Sequence, residues 1–318
     1  MRAIGYQFTE GRSTPSVMPL ELQAPEAKPG DVLVRVHFAG LSNFDRETSQ
    51  GKRKRALKRL MKKMPVVSGI EMAGIVEVGN EHFKPGDRVV AYTNVLRGPF
   101  FHADYVVVPA TKLAHVPDSL SLEGAASIVG GALTSITALE RIGSIGAGQN
   151  VLVTGATGSV GSTAVQLASH LGARVTGVCH SSKTGLLIEI GAAAAFAYDN
   201  NEKPPQNEQF DLVFDTAPSL GFVASMGYLK RGGTFVSTMP LQDLVGFLRS
   251  LFSSKKSGFL MEIDTDRQRM ARLYELMSAG VFSELIDSIY PLADASDAFA
   301  HQLGRGKHGK ILIDFSGG

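Results

Sequence analysis

The chain has 318 residues, 44% of them hydrophobic and 19% charged, with a net charge of +2. That composition suits a globular protein of about two domains, and the near-neutral balance excludes a global field that would recruit nucleic acid. A single cysteine, Cys179, excludes an internal disulfide and a multi-cysteine zinc site.

The opening Met1-Arg-Ala-Ile-Gly-Tyr6 reads as a first strand rather than as a basic-then-apolar leader. Asp31 to Gly40 alternates apolar and polar residues after a Pro29-Gly30 turn, which predicts Val32, Val34, Val36 and Phe38 facing a core and Arg35 and His37 facing away. Short strands continue over 69–78, 86–92 and 103–108, with Pro85-Gly86-Asp87 as a turn; together they predict a sandwich or barrel. Ser121 to Ile142 has a helical pattern with Ser121 as N-cap. From Gln149 strands and helices alternate: Val151–Thr154, Ser159–Leu171, Arg174–Val178, Thr184–Ile190, Asp211–Asp215 and Gly233–Val236. The alternation predicts a doubly wound parallel sheet. A helix over Arg267–Ala279 and a last strand over Lys310–Phe315 complete the chain, with no internal repeat. No run of about 18 continuous apolar residues marks a bilayer span, so no membrane partner and a cytoplasmic location are expected.

Gly155-Ala-Thr-Gly158-Ser159-Val160-Gly161 follows a buried strand and opens a helix. In that context glycines let backbone N–H groups approach a pyrophosphate, and the helix N-terminus stabilises its charge. NAD sites usually carry an acid about 20 residues on. Here that strand runs into Cys179-His180-Ser181-Ser182-Lys183, without an acid. Hydroxyls and a cation suit a 2′-phosphate, so NADP(H) is the expected cofactor, with His180, Ser181 and Lys183 at its phosphate.

With these motifs in order, the chain resembles the medium-chain dehydrogenase/reductase superfamily, and within it the zinc-free quinone oxidoreductase-like branch. The resemblance rests on Ala39-Gly40-Leu-Ser-Asn43-Phe-Asp45, Pro65-Val-Val-Ser-Gly69-Ile-Glu71-Met-Ala-Gly74, Phe83 to Val89, Gly131-Ala-Leu-Thr134 to Leu139, and Gly309-Lys310-Ile-Leu-Ile313. It implies an α/β fold in which a Rossmann-type sheet (119–262) is inserted into a GroES-like β-rich domain (1–118 plus 263–318), with the site in the cleft between them. It also implies a homodimer. Zinc-dependent relatives carry a cysteine and a histidine where this chain has Ser42 and Ile70. Glu71 alone cannot hold catalytic zinc, which typically needs three protein ligands, so no metal is expected.

The implied reaction is hydride transfer from NADPH to quinones or α,β-unsaturated carbonyl compounds, whose conjugation spreads the developing charge without a Lewis acid. Asn43 and Thr134 resemble residues that contact the nicotinamide or the substrate carbonyl. Ser237 and Thr238 match the segment beside the nicotinamide ribose, Ala217 is a further expected cofactor contact, and Tyr198 resembles a tyrosine near the adenosine phosphate. Tyr92 is a candidate proton donor, with packing as its competing role. Asp45 reads as a residue that holds the early loop by hydrogen bonds. Lys52 to Lys63 carries eight positive charges in twelve residues, a solvated face or a basic patch for an acidic partner. Leu241 to Met261 is apolar-rich and is expected to border the substrate pocket and subunit interface. The competing functions are an enoyl-thioester reductase and a non-catalytic NADPH-binding protein acting through a partner or membrane.

Overall fold

The structure is a computed structural model that describes residues 1–7, 14–52, 66–93, 98–206, 209–260, 264–304 and 306–317. All but the first residue of the basic segment 52–63 therefore lies outside the described residues.

Two compact units emerge. The first comprises Met1–Gly130, Ile263–Gly280 and Glu284–Gly318; the second comprises Gly131–Glu262 with Val281–Ser283. In chain order the first unit contributes β1 (Arg2–Gln7), β2 (Ser16–Glu21), β3 (Asp31–Leu41), α1 (Asn43–Ser49), β4 (Val66–Val67), β5 (Glu71–Val78), β6 (Arg88–Tyr92), β7 (Tyr105–Pro109), β8 (Leu113–His115) and the start of α2 (Leu122–Ile136). The second unit holds β9 (Asn150–Thr154), α3 (Ser159–His170), β10 (Arg174–Cys179), α4 (Thr184–Glu189), β11 (Ala194–Ala197), β12 (Phe210–Asp215), α5 (Gly221–Ser225), β13 (Leu229–Ser237), α6 (Leu244–Ser250) and β14 (Lys256–Phe259). The chain then returns to the first unit with α7 (Arg267–Ser278), β15 (Ile286–Pro291), α8 (Ala295–Leu303) and β16 (Lys310–Asp314). The division falls inside α2, at Gly130–Gly131, rather than ahead of that helix at residue 118. Val281–Ser283 joins the second unit because the Ser283 amide and hydroxyl both donate to Gln166 Oε1, at 2.6 and 2.8 Å.

The second unit is a six-stranded sheet in the order β11-β10-β9-β12-β13-β14, parallel throughout. Its direction of winding reverses at β9, the place where such sheets bind ligands beyond their carboxyl ends. Leu152, Val213, Phe222 and Phe235 pack in its core. The first unit carries the sheet β15-β16-β3-β5-β6-β8, with β7 also on β3, and a small sheet β2-β1-β4. Its core gathers Val32, Val34, Val36, Met72, Phe101, Ile311 and Ile313.

Phe38 departs from the expected alternation. Val32, Val34 and Val36 are fully buried, but Phe38 is half-buried and Ala39 takes the inward place. The register against β5 shifts between Val36 and Phe38, and the extra residue of such a bulge reverses which faces point inward.

The helix expected over 121–142 is capped by Ser121, whose hydroxyl accepts from the Gly124 amide at 2.9 Å. After Ile136 it loosens into a π-helical stretch, Thr137–Ile142. Leu122–Ile142 is long and apolar enough to cross a membrane, yet 78% of its most apolar window is buried inside the protein, as in a core helix. Gly131 permits close packing within the second unit: a Cβ there would sit 2.5 Å from the Ser159 carbonyl oxygen of α3.

Candidate active site

The turn between β9 and α3 is shaped by its glycines. Gly155 has φ +60°, in the left-handed region, and a Cβ on it would lie 2.6 Å from Ala217 Cβ. A Cβ on Gly161 would lie 2.2 Å from the Gly155 carbonyl oxygen, so the helix can approach the turn only with glycine there. Gly158 differs. It has φ −78°, and its Cβ would meet only the Gly155 carbonyl oxygen, at 3.3 Å. It is the N-cap of α3, and no side chain caps the helix. Ser159 Oγ, at the first helical position, is buried and has no hydrogen-bond partner. A bare helix N-terminus with an orphaned buried hydroxyl fits an anion such as a pyrophosphate.

Beside this turn, Asp215 at the end of β12 is 1% exposed and organises the carboxyl edge of the sheet. It accepts from Thr154 Oγ1 at 2.5 Å, from the Ser219 amide and hydroxyl, and from the Leu220 amide at 3.1 Å. Thr216 Oγ1 donates to the Thr154 carbonyl at 2.6 Å, and Thr238 Oγ1 donates to the Thr216 carbonyl at 3.2 Å. Ala217, Ser237 and Thr238 are thereby gathered with Gly155, Gly158, Ser159, Val160 and Gly161 at one edge. The sequence reading missed Asp215. Its signal was an acid closing a buried strand directly before Thr216, a place where a carboxylate must be fully hydrogen-bonded to be tolerated.

At the end of β10, which itself carries no acid, one arrives from the neighbouring strand. Asp199, from the turn after β11, accepts from the Ser181 amide at 2.7 Å and from the Ser181 hydroxyl at 2.6 Å. His180 Nε2 lies 3.4 Å from the same carboxylate, and the His180 ring meets Tyr198 edge-on, with centroids 5.8 Å apart. The Ser181 hydroxyl bond, above all, holds the Asp199 carboxyl below its ordinary range. The acid was invisible as a motif because it comes from the neighbouring parallel strand, where Ala197 pairs with Cys179. Lys183 lies in the same turn as Ser181 and precedes α4. Cys179 is buried, which pushes its thiol up to about 11 and leaves it protonated.

Thr134 lies on α2 in the second unit, 9% exposed. Asn43 and Tyr92 belong to the first unit. Asn43 is exposed at the first position of α1, and Ser42, not Asn43, caps that helix. Behind Asn43, the fully buried Asp45 accepts from Tyr6 OH at 2.9 Å, from the Ser42 amide and hydroxyl at 3.0 and 2.7 Å, and from the Gly69 amide at 3.1 Å. Burial, reinforced by this carboxylate, pushes the Tyr6 phenol well above its ordinary value, so it remains a donor. Asp45 thus fixes the early loop. Tyr92 ends β6 opposite Glu71 and is 5% exposed. Glu71 pairs with the buried Lys310 ammonium and accepts from the Gly130 amide at 3.0 Å. Among the described residues no three His, Cys, Asp or Glu side chains gather to hold a metal ion.

A doubly wound sheet with a glycine turn at its switch point, carried in one chain with a GroES-like β unit, defines a nicotinamide-dependent dehydrogenase or reductase. Residues 28–118 match the alcohol dehydrogenase GroES-like domain, and residues 190–313 match a family described as zinc-binding dehydrogenase. A chloroplastic quinone oxidoreductase of Triphysaria versicolor is 28% identical over 328 residues, covering 99% of this chain and 98% of its own. An NADPH-dependent alkenal/one oxidoreductase of Arabidopsis thaliana is 27% identical, covering 93% of this chain and 76% of its own. The solved quinone oxidoreductase of Coxiella burnetii shares the fold at a TM-score of 0.82, with 22% identity and 99% of each chain covered. The chain belongs to the medium-chain dehydrogenase/reductase superfamily and is quinone oxidoreductase-like.

Proposed function

We propose that the protein is a zinc-independent oxidoreductase that uses NADPH to reduce quinones or α,β-unsaturated carbonyl compounds. The observation that carries the reading is the Gly155–Gly161 turn, with its uncapped helix start and unpaired buried Ser159 Oγ. The relatives named for quinone and alkenal/one reduction support the acceptor class.

When bound, the dinucleotide supplies the hydride. The amides opening α3 and Ser159 Oγ hold its pyrophosphate, while Ala217, Ser237 and Thr238 line the ribose beside it. Thr134 and Asn43 orient the nicotinamide and the acceptor carbonyl. Tyr92 is the proposed proton donor, in a role its burial makes secondary to packing. Lys183 supports a 2′-phosphate, and the protein acts as a cytoplasmic homodimer.

The test is the loss of reduced-nicotinamide absorbance with quinones, alkenals, enones and enoyl-CoAs, run with NADPH and NADH in parallel. Turnover of quinones or enones supports the proposal. Turnover confined to enoyl-CoAs would replace it with thioester reduction, and cofactor binding without turnover on any acceptor would replace it with a binding role.

A further inference from the structure

We infer that Asp199 is a specificity-determining residue at the adenosine end of the dinucleotide site: its carboxylate occupies the donors a 2′-phosphate needs and so narrows the preference for NADPH over NADH. The inference rests on the dinucleotide reading above.

Cys179 of β10 and Ala197 of β11 are paired neighbours in the parallel sheet, and two residues beyond each stand Ser181 and Asp199. The equal offset brings the Asp199 carboxylate onto Ser181, with one oxygen on the amide and the other on the hydroxyl, at 2.7 and 2.6 Å. Each donor carries one proton, so neither is left for a second anion. His180 Nε2, at 3.4 Å, turns toward the same carboxylate. Of the groups expected to receive a 2′-phosphate, Lys183 follows Ser181 in the same turn.

A 2′-phosphate brings about −1.5 to −2 charges, acceptor oxygens and no proton to give a carboxylate. It must displace Asp199 from Ser181 or bind beside it against like-charge repulsion. An unphosphorylated ribose presents a 2′-hydroxyl, which can donate to Asp199, as it does to the acid of NAD-type sites. Asp199 reaches that position from the turn after β11 rather than from the end of β10, so a search by sequence spacing passes over it.

The test is calorimetric titration of the full chain with 5′-AMP and 2′,5′-ADP, which differ only in the group at issue. Wild type is compared with Asp199→Asn, which removes the charge and adds a donor at the same reach, and with Asp199→Ser, which removes the charge and shortens the side chain to a hydroxyl. The expected result is about a tenfold or greater gain in 2′,5′-ADP affinity for both variants, with 5′-AMP affinity unchanged or weaker. The ratio of kcat/KM for NADPH over NADH should move the same way. An unchanged ratio of the two affinities overturns the inference, as does an equal loss for both ligands, which would make Asp199 only a support for the turn. If wild type binds neither ligand and neither dinucleotide, the dinucleotide reading itself fails; binding with an unmoved ratio removes the Asp199 inference alone.

Discussion

Two glycines in one turn make opposite predictions. Gly161→Ala forces a Cβ to 2.2 Å from the Gly155 carbonyl oxygen, so the loss should appear in folding itself, as lower yield and an earlier thermal transition. Gly158→Ala has ordinary φ and one tight contact, 3.3 Å to the Gly155 carbonyl oxygen, so its melting should fall far less than that of Gly161→Ala. Its NADPH affinity should nonetheless fall at least about tenfold, because the methyl group enters the face open to the pyrophosphate. Equal affinity for the two proteins, read by fluorescence titration, would place the phosphate elsewhere. The sequence motif named both residues but could not separate them, because the distinction lies in what surrounds each Cβ. Asp45 shows the same gap between motif and geometry. Its neighbourhood pointed to a loop-holding role, but Tyr6 and Gly69, far off in sequence, supply two of its four bonds. Asp45→Ala leaves buried donors unpaired and should cost about 2–4 kcal/mol in urea unfolding of the first unit. Tyr6→Phe, which removes one donor and leaves the others satisfied, should cost roughly 1 kcal/mol.

The strongly periodic elements were legible at the scale of strands and helices. β3, α3, β9, β10 and β16 fall within a residue or two of their expected bounds, because unbroken alternation or a glycine turn announces them. The bulge in β3 was not legible, since an extra residue changes no local composition and only the β5 register reveals it. β14, with the sequence Lys-Ser-Gly-Phe, has no apolar run and is a strand because β13 offers it an edge. Packing between elements also sets a pH response. His102 is fully buried, between Phe299 of α8 and Phe315 beyond β16. Its Nδ1 lies 2.7 Å from Ser68 Oγ and its Nε2 3.3 Å from the Gly40 carbonyl oxygen. Burial lowers its pKa, and that of the half-buried His37 moves the same way. The unfolded chain takes up a proton near pH 6.5 that the folded chain refuses, so stability is complete above that value and falls as the pH drops from it toward the lower folded pKa. The urea midpoint of the first unit should therefore decline between about pH 7.5 and 5.5. In His102→Gln the decline should be shallower; an identical slope would assign it to other groups.

Across the whole molecule, a buried ion pair helps tie the chain's return to its first unit. Glu71 of β5 and Lys310 of β16 stand 239 residues apart in sequence, at 1% and 5% side-chain exposure, and the Gly130 amide donates to the second carboxylate oxygen. Glycines wall in the carboxylate: a Cβ on Gly130 would lie 2.0 Å from Oε2, and one on Gly40 would lie 2.9 Å from Cγ. Glu71 lies in the stretch that resembles the second family signature, and its carboxylate pairs with the Lys310 ammonium group. Two outcomes follow. Glu71→Gln leaves the Lys310 charge buried without a counter-charge and should cost about 3–5 kcal/mol, whereas Glu71→Gln with Lys310→Met should recover most of that loss. A double variant as unstable as the single one would mean that the carboxylate serves chiefly the Gly130 amide. If Lys310 is the resident cation, dialysis against a strong chelator should leave quinone or enone reduction by the wild type unchanged, and added zinc should not raise it. Activity lost to the chelator and restored by zinc would show that a metal takes part in the reaction, and the zinc-independent assignment would fall.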